Sequence, residues 1–394
     1  MNDFMICGAL LYDGTGHPPY PADVAVTESR VAAVAPAGKL HRTGFREIRA
    51  DGLSLSPGFI DAHGHSDVSI LAAPEASGKI SQGVTTEITG NCGLSAFPVL
   101  TDEVREHLDN LYAAYHVPIT WSTLDDYATE LNRREPAINI ASLCGHNTLR
   151  ANISGYGGRT LAAAELNRMA ELLGQALHQG AAGLSTGLLY TPGRFADTAE
   201  LLHLMSVLKK FDRLYATHLR SEGDQLTEAL EEAVFLAKNG SRKLQVSHLK
   251  TALPRNWDKL DRVLELIRNA QSCGIRLTAD RYPYIRSQTS LSVILPPPYD
   301  AMDDISIRRT LCENPAEQQK TARELAKSGR DWDSILLTAS NCMEYAHLSG
   351  KTIAEAAKQL GMQPEDFCVD LMAKDAPGTM AAFAGMSENN LKRI

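Results

Sequence analysis

Two kinds of hydrophobic spacing divide the chain near Gly52. Up to that residue the apolar positions fall in short alternating runs separated by turn residues. Phe4–Leu11, Asp23–Thr27, Arg30–Ala35 and Glu47–Ala50 read as strands, and Asp13-Gly14-Thr15-Gly16 as the turn after the first. No stretch here repeats its apolar residues at helical spacing. Residues 1–52 therefore predict a small β-module.

From Leu53 the pattern becomes strand, loop, helix, repeated. Expected strands are Gly58–Ala62, Thr85–Thr89, Ile138–Leu143, Ala182–Ser185, Leu214–Thr217, Leu244–Ser247 and Arg276–Ala279. Between them Leu161–Gln179 sets Ala162, Leu166, Met169, Leu173 and Leu177 near one face, with Thr160 as a candidate cap and Gly180 as a stop. Asp197-Thr198-Ala199-Glu200 opens another helix like a capping box. Gln225–Asn239 and Asp258–Cys273 each end at a glycine. Strands alternating with crossover helices imply a parallel sheet. Seven such units predict an α/β protein whose residues 53–394 form a TIM-type (β/α)8 barrel, with the eighth strand missing from the pattern. No Gly-x-Gly-x-x-Gly or phosphate-binding loop speaks for an open doubly wound sheet. After Ser287 the repeat breaks. A Pro296-Pro297-Pro298 run and a polar stretch mark an inserted excursion at about 290–330, followed by a strand at Ser334–Thr338 and helices near Thr352–Leu360 and Pro364–Met372.

Composition adds a broad class. The 394 residues are 44% hydrophobic and 22% charged, ordinary for a globular protein with a large core. A net charge of −8 without a basic block disfavours nucleic acid and anionic membranes as partners. No apolar run approaches the roughly 20 residues of a membrane-spanning helix, and the N-terminus lacks the layout of a signal peptide. Seven unevenly spaced cysteines do not form a disulfide framework, so a cytoplasmic location is expected.

In barrels of this type chemistry gathers at the carboxyl ends of the strands. The first expected strand runs into His63-Gly64-His65. Alternate residues of a strand share a face, so both imidazoles can reach one ion. The second strand ends at Asn91-Cys92-Gly93, the fifth at His218, the sixth at His248-Leu249-Lys250, and the seventh leads into Asp280-Arg281-Tyr282-Pro283-Tyr284. Any one of these taken singly is more often a structural residue. Four imidazoles and one thiol at the same mouth instead form a candidate metal set, and that mixture favours zinc over magnesium or calcium. His146, at the end of the third strand, stays open between lining the pocket and a structural role. The other cysteines (Cys7, Cys144, Cys273, Cys312, Cys342 and Cys368) read as structural.

The segments PGFIDAHGHSD (57–67), GVTTEITGNCG (83–93), GLSTGLLYTPG (183–193), THLRSEGD (217–224), SHLK (247–250) and ADRYPY (279–284) occur in order along the chain. In them the chain resembles the N-acyl-D-amino-acid deacylase (D-aminoacylase) family of the amidohydrolase superfamily. The resemblance implies zinc-dependent hydrolysis of a small-molecule N-acyl-D-amino acid to a carboxylic acid and a D-amino acid. It implies a tight zinc site at Cys92, His218 and His248, and a second, weaker position at His63 and His65. It also implies that Tyr190, Lys250 and Tyr282 contact the substrate carboxylate or amide. The fourth strand offers no lysine for carboxylation, unlike dihydroorotase and hydantoinase types.

The chain departs from the family in two places. The family's proton-shuttling aspartate lies in a Ser-Asp-Gly segment at the end of strand eight. The last family-like segment here, Gly385–Ile394, precedes that position. The expectation is a chain that stops short of strand eight and of the last strands of the β-module, with its general base beyond Ile394. Asp280, Asp370 and Asp375 do not match the missing residue. Alternatives are a shortened, inactive metal-binding protein, or another amidohydrolase such as a cyclic-amide hydrolase or deaminase. After strand seven, Gln288 replaces a carboxylate-binding serine, and Arg286 adds a charge that would favour an acidic group if it faces the mouth rather than solvent.

Overall fold

The N-terminal strands form where the alternation places them in a computed structural model that describes residues 3–41 and 43–394. β1 (Phe4–Leu11), β2 (Tyr20–Thr27), β3 (Arg30–Pro36) and β4 (Arg46–Arg49) lie in the order β3-β2-β1-β4, and β5 (Ser54–Leu55) also pairs with β1. β1–β2 and β2–β3 are antiparallel, whereas β4 and β5 run parallel to β1. The apolar core of this sheet is small: Leu11, Ala22 and Val24. The buried Asp23 carboxylate accepts from the backbone N–H of Gly8 at 2.9 Å and of Gly38 at 2.7 Å, which ties the irregularity in β1 and the turn after β3 to β2. Residues 1–60 with 81–86 form one compact unit, and residues 61–80 with 87–394 form a second.

The parallel strands follow. β6 (Phe59–Asp61), β7 (Val84–Thr89) and β8 (Asn139–Ser142) are ordered β6-β7-β8. β9 (Cys144–Gly145), β10 (Gly183–Gly187), β11 (Leu214–His218), β12 (Lys243–Val246) and β13 (Arg276–Ala279) make a five-stranded parallel sheet in sequential order. Only Leu143 separates β8 from β9, and its N–H donates to the Thr89 carbonyl at 2.9 Å, so the two continue one strand path. All seven expected strands are present. Among the described residues no strand pairs with the outer edge of β6 or of β13.

Every residue of β10 is buried, as expected for a strand covered on both faces. Leu184 joins Met169, Leu173 and Leu177 of the helix Ala163–His178, and Leu201, Leu204 and Leu208 of the helix Thr198–Phe211, in one apolar cluster. Each such leucine contributes about 1.5–3 kcal/mol by leaving water. The first of these helices begins later than Thr160 would dictate. Glu165 reaches back to accept from the Ala162 N–H at 2.8 Å and supplies the start. In the second, the Asp197 side chain accepts from the Glu200 N–H at 2.8 Å, the cap read from the sequence.

The excursion is larger and more regular than its polarity suggests. β14 (Arg286–Ser290), β15 (Ile335–Ala339) and β16 (Met380–Ala384) form an antiparallel sheet ordered β14-β16-β15. The polar stretch holds two helices, Asp304–Glu313 and Pro315–Lys327, which bury Ile307, Leu311, Ala322 and Leu325. They share a separate core with Leu337, Phe367, Leu371 and Met372. Few apolar residues are needed on helices that cover a core with one narrow stripe, which is why composition understated them. No helix among the described residues is long and apolar enough to cross a membrane.

Candidate metal centre

Five strand ends bring the polar cluster together. His63 lies just beyond β6, Cys92 beyond β7, His218 closes β11, and His248 and Asp280 follow β12 and β13. Gly64 is required between the two histidines, because a Cβ there would overlap the buried Glu87 side chain at 1.7 Å. Cys92 (φ 54°) and His248 (φ 37°) both adopt left-handed backbone conformations. Each costs about 1–3 kcal/mol for a residue with a side chain, and such strain persists only where neighbours enforce it. For His248 the enforcing contact is its own N–H, which donates to Asp280 Oδ1 at 2.7 Å.

Cys92 Sγ sits 3.4 Å from His63 Nε2 and 3.4 Å from His248 Nε2. Carboxylates stand behind both imidazoles. Glu222 Oε1 is 2.6 Å from His248 Nδ1. Asp280 Oδ1 is 3.2 Å from His63 Nδ1, an ion-pair contact in which the ring N–H is not aligned on the oxygen. This is the arrangement that turns Nε2 of a histidine toward a metal. His218 packs edge-on to His248, with ring centroids 4.4 Å apart, and Tyr190 covers its other side at 4.8 Å. His218 is 3% exposed, and both of its ring nitrogens lack a hydrogen-bond partner.

Two sets of ligand atoms converge: His63, Cys92 and His248, and His218, Glu222 and His248. The second already holds a cation. Lys250 Nζ hydrogen-bonds Glu222 Oε1 and lies 2.9 Å from His248 Nδ1. His65 belongs to neither set; its side chain is exposed and its ring centre is 5.3 Å from that of His63. The two groups share His248, so the side chains expected for the Cys92/His218/His248 position are divided between them, and His65 stands beside His63. His63 stands with Cys92.

The electrostatics suit a cation. Burial pushes the Cys92 thiol far up, and the nearby Glu222 carboxylate adds to it. Burial holds the His218 imidazole well below its ordinary range, so it is neutral. Burial would raise Glu222, but Lys250, His248 and His218 outweigh it and hold that carboxyl well below its usual range. Neutral imidazoles and a sulfur with little other stabilisation of its thiolate form match the donors of zinc. The orphaned His218 nitrogens support the fit most directly. A buried polar atom without a partner costs about 1–3 kcal/mol, and a bound ion removes that penalty.

The expected substrate residues separate into two groups. Lys250 lies 5.7 Å from the Tyr282 ring centre. Tyr190 Oη is 3.0 Å from Thr289 Oγ1, and the Tyr282 hydroxyl points to Met386 Sδ at 3.8 Å. Side chains alternate along β14, so Ser287 and Thr289 share one face while Arg286 and Gln288 take the other. Arg286 donates to the Ser334 carbonyl at 2.7 Å, and Gln288 is exposed. The structure thus gathers Tyr190, Lys250 and Tyr282 and leaves Arg286 and Gln288 outside. His146 is also outside the cluster: it is fully buried 2.8 Å from Glu200, which also binds Arg150.

Sequence reasoning passed over Glu222, Asn147 and Thr289. Glu222 stands in the quoted segment 217–224, four residues after His218, and that spacing was its available signal. Asn147 is buried and binds the carbonyls of Gly187 and Tyr190 at 3.1 and 3.3 Å. Its own N–H donates to Gly93, so it braces the Cys92 turn against the Tyr190 loop. Gly187 must be glycine here, since a Cβ would lie 1.9 Å from the Cys92 carbonyl oxygen.

Parallel strands with a thiol–imidazole cluster at their carboxyl ends form a barrel-type scaffold with a candidate metal site. Comparisons with known proteins agree. Residues 46–297 match the model of the amidohydrolase family. The chain is 38% identical over 290 residues to an N-acyl-D-aspartate deacylase of Alcaligenes xylosoxydans xylosoxydans, covering 73% of this chain and 57% of that protein. It is 34% identical to an N-acyl-D-glutamate deacylase of the same organism, covering 84% and 66%. The crystal structure of N-acyl-D-glutamate deacylase from Bordetella bronchiseptica, complexed with zinc and a phosphonate inhibitor, superposes with a TM-score of 0.81 at 31% identity, covering all of this chain and 73% of that one. A D-aminoacylase structure gives 0.79 at 30% identity and 74% coverage of its chain. The chain belongs to the amidohydrolase family, in its D-aminoacylase branch, and has that family's (β/α)8 barrel fold with a β-rich N-terminal module. It spans 57% and 66% of the length of the two curated relatives.

Proposed function

We propose that this protein hydrolyses the amide bond of N-acyl-D-amino acids in a zinc-dependent reaction. The observation that carries the reading is Cys92 Sγ at 3.4 Å from two imidazole nitrogens, each backed by a carboxylate, beside the Lys250–Tyr282 pair. Cys92, His63, His248 and the unpartnered His218 would hold the metal. The chemistry supplied by bound zinc is Lewis acidity toward the acyl carbonyl and activation of water to a pKa of about 7. Lys250 and the Tyr282 hydroxyl bind the substrate carboxylate, while Tyr190, positioned by Thr289 and Asn147, walls the opposite side. Asp280 and Glu222 are engaged in holding His63, His248 and Lys250, so neither is assigned the proton transfer to the leaving amine. The similarity to the aspartate and glutamate deacylases supports an acidic D-side chain as the preferred substrate. All seven cysteines are unbonded, in keeping with a cytoplasmic location.

The test is turnover of N-acetyl-D-aspartate, N-acetyl-D-glutamate and their L-enantiomers by the zinc-loaded chain, followed as free amino acid. Release from the D-substrates, abolished by a chelator and restored by zinc, is expected. Zinc binding without turnover of any of them would replace this reading with that of a metal-binding protein.

A further inference from the structure

Glu222 is the carboxylate at which the metal side and the substrate side of the cluster meet. One oxygen, Oε1, lies 2.6 Å from His248 Nδ1 and also accepts from Lys250 Nζ; the other, Oε2, is 3.7 Å from His218 Nε2. The Lys250 and Glu222 side chains are 4% and 14% exposed, so solvent and salt screen this contact little. An imidazole bound to a metal through Nε2 keeps its proton on Nδ1, and the acceptor there sets the ring's orientation and its basicity. Asp280 is the carboxylate beside that nitrogen of His63, at 3.2 Å and off the N–H direction, and among the described residues its hydrogen bonds and ion pairs include no ammonium group. At His248 the same acceptor is shared with an ammonium group, which draws its charge away from the ring.

We propose that Glu222 is a positioning residue that couples metal binding to substrate binding, by orienting His248 toward the metal with the same oxygen that holds Lys250 for the substrate carboxylate. Only the Lys250 half of this rests on the proposed deacylase function. The consequence has a sign. Removing the Glu222 charge weakens the metal site, whereas removing the Lys250 charge frees Glu222 for His248 and does not weaken it. A substrate carboxylate that takes over Lys250 acts in the second direction, and by linkage bound zinc then tightens the substrate to the same extent.

The test is zinc affinity of the full 394-residue chain, measured without substrate by competition with a chromogenic chelator. In Glu222→Gln zinc affinity should fall about 10–100-fold, the usual effect of losing a carboxylate behind a ligating histidine. In Lys250→Met it should be unchanged or tighter. Both substitutions break the same buried ion pair and lower thermal stability, so a purely structural role would weaken zinc in both. Parallel losses in the two variants, or zinc affinity in Glu222→Gln within about twofold of the parent, would overturn the proposal. Should Glu222→Gln fail to fold, Glu222→Asp keeps the charge, withdraws it by one methylene, and is expected to show the same loss. Because no substrate enters this titration, an inactive parent chain would sink the deacylase reading without touching it.

Discussion

The mouth at the ends of β6, β7, β11, β12 and β13 and the antiparallel sheet β14-β16-β15 are built in opposite ways. At the mouth, Cys92 and His248 hold left-handed backbones, His218 is buried without partners, and Lys250 and Glu222 are charges taken out of water. In the antiparallel region the centre is apolar, with Phe367, Leu371, Met372 and Leu337 at most 0% exposed. Its helices also start from satisfied caps: Asp303, Asn314 and Thr352 each accept from the first turn they precede. The difference separates what the molecule gains from burial and what it spends on function. Strain and unpaired donors collect where an ion and a substrate can relieve them, and ordinary packing supplies the stability elsewhere.

That contrast can be broken or sharpened by measurement. The largest effect is expected from Cys92→Ala. Losing the sulfur at the centre of the ligand set should lower kcat/KM by about a thousandfold or more, equivalent to several kcal/mol of lost charge stabilisation. Thermal unfolding of the metal-free protein should move little, and a collapse of the metal-free fold would show that the cluster is a structural core instead. Phe367→Ala should behave inversely. It removes a fully buried ring and should cost about 3–5 kcal/mol in denaturant unfolding, with zinc affinity kept.

A smaller effect distinguishes pH behaviour. Burial raises the Asp304 carboxyl to about 6, against the hydrogen bonds from Ser292 and Ser290. A raised value in the folded state means that the folded protein keeps this proton more tightly than the unfolded chain. The stability it contributes is complete below the ordinary carboxylate pKa of about 4 and is lost as pH rises through about 6. Between those limits the parent should lose about 2 kcal/mol relative to Asp304→Asn, read from unfolding midpoints across the range. Parallel pH profiles would mean that the carboxyl is effectively solvated. Smallest of all, Thr352→Ala should cost about 1 kcal/mol. Its hydroxyl accepts from the Glu355 N–H at 3.1 Å while Glu355 returns a bond to the Thr352 N–H at 2.9 Å, a capping box with no connection to the metal.

Much of this was legible in the residue pattern. Strand and helix positions followed from local periodicity, because the period of burial is a property of a few neighbouring residues. The ligand types were legible for a similar reason: His63, Cys92, His218 and His248 each follow a short run that reads as a strand, although Phe59 and Ile60 before His63 are 60% and 65% exposed in the structure. The excursion was harder. Its helices bury one narrow stripe each, so the polar residues dominated the reading of a stretch that the structure shows to be folded around its own core.

What the sequence determined by itself is therefore the set of elements, the metal-binding residue types and the end of the strands where they stand. The tertiary structure decided their partnerships. That Cys92 meets His63 and His248, residues 29 and 156 positions away, depends on which strand ends come together. That Glu222 serves both His248 and Lys250 depends on the path of a loop between β11 and the next helix. That Arg286 reaches Ser334 depends on the antiparallel register of β14 and β15 against β16, a pairing of segments that local spacing does not connect. Alternation along a strand states that two faces exist; only the pairing of distant strands determines which face meets the site.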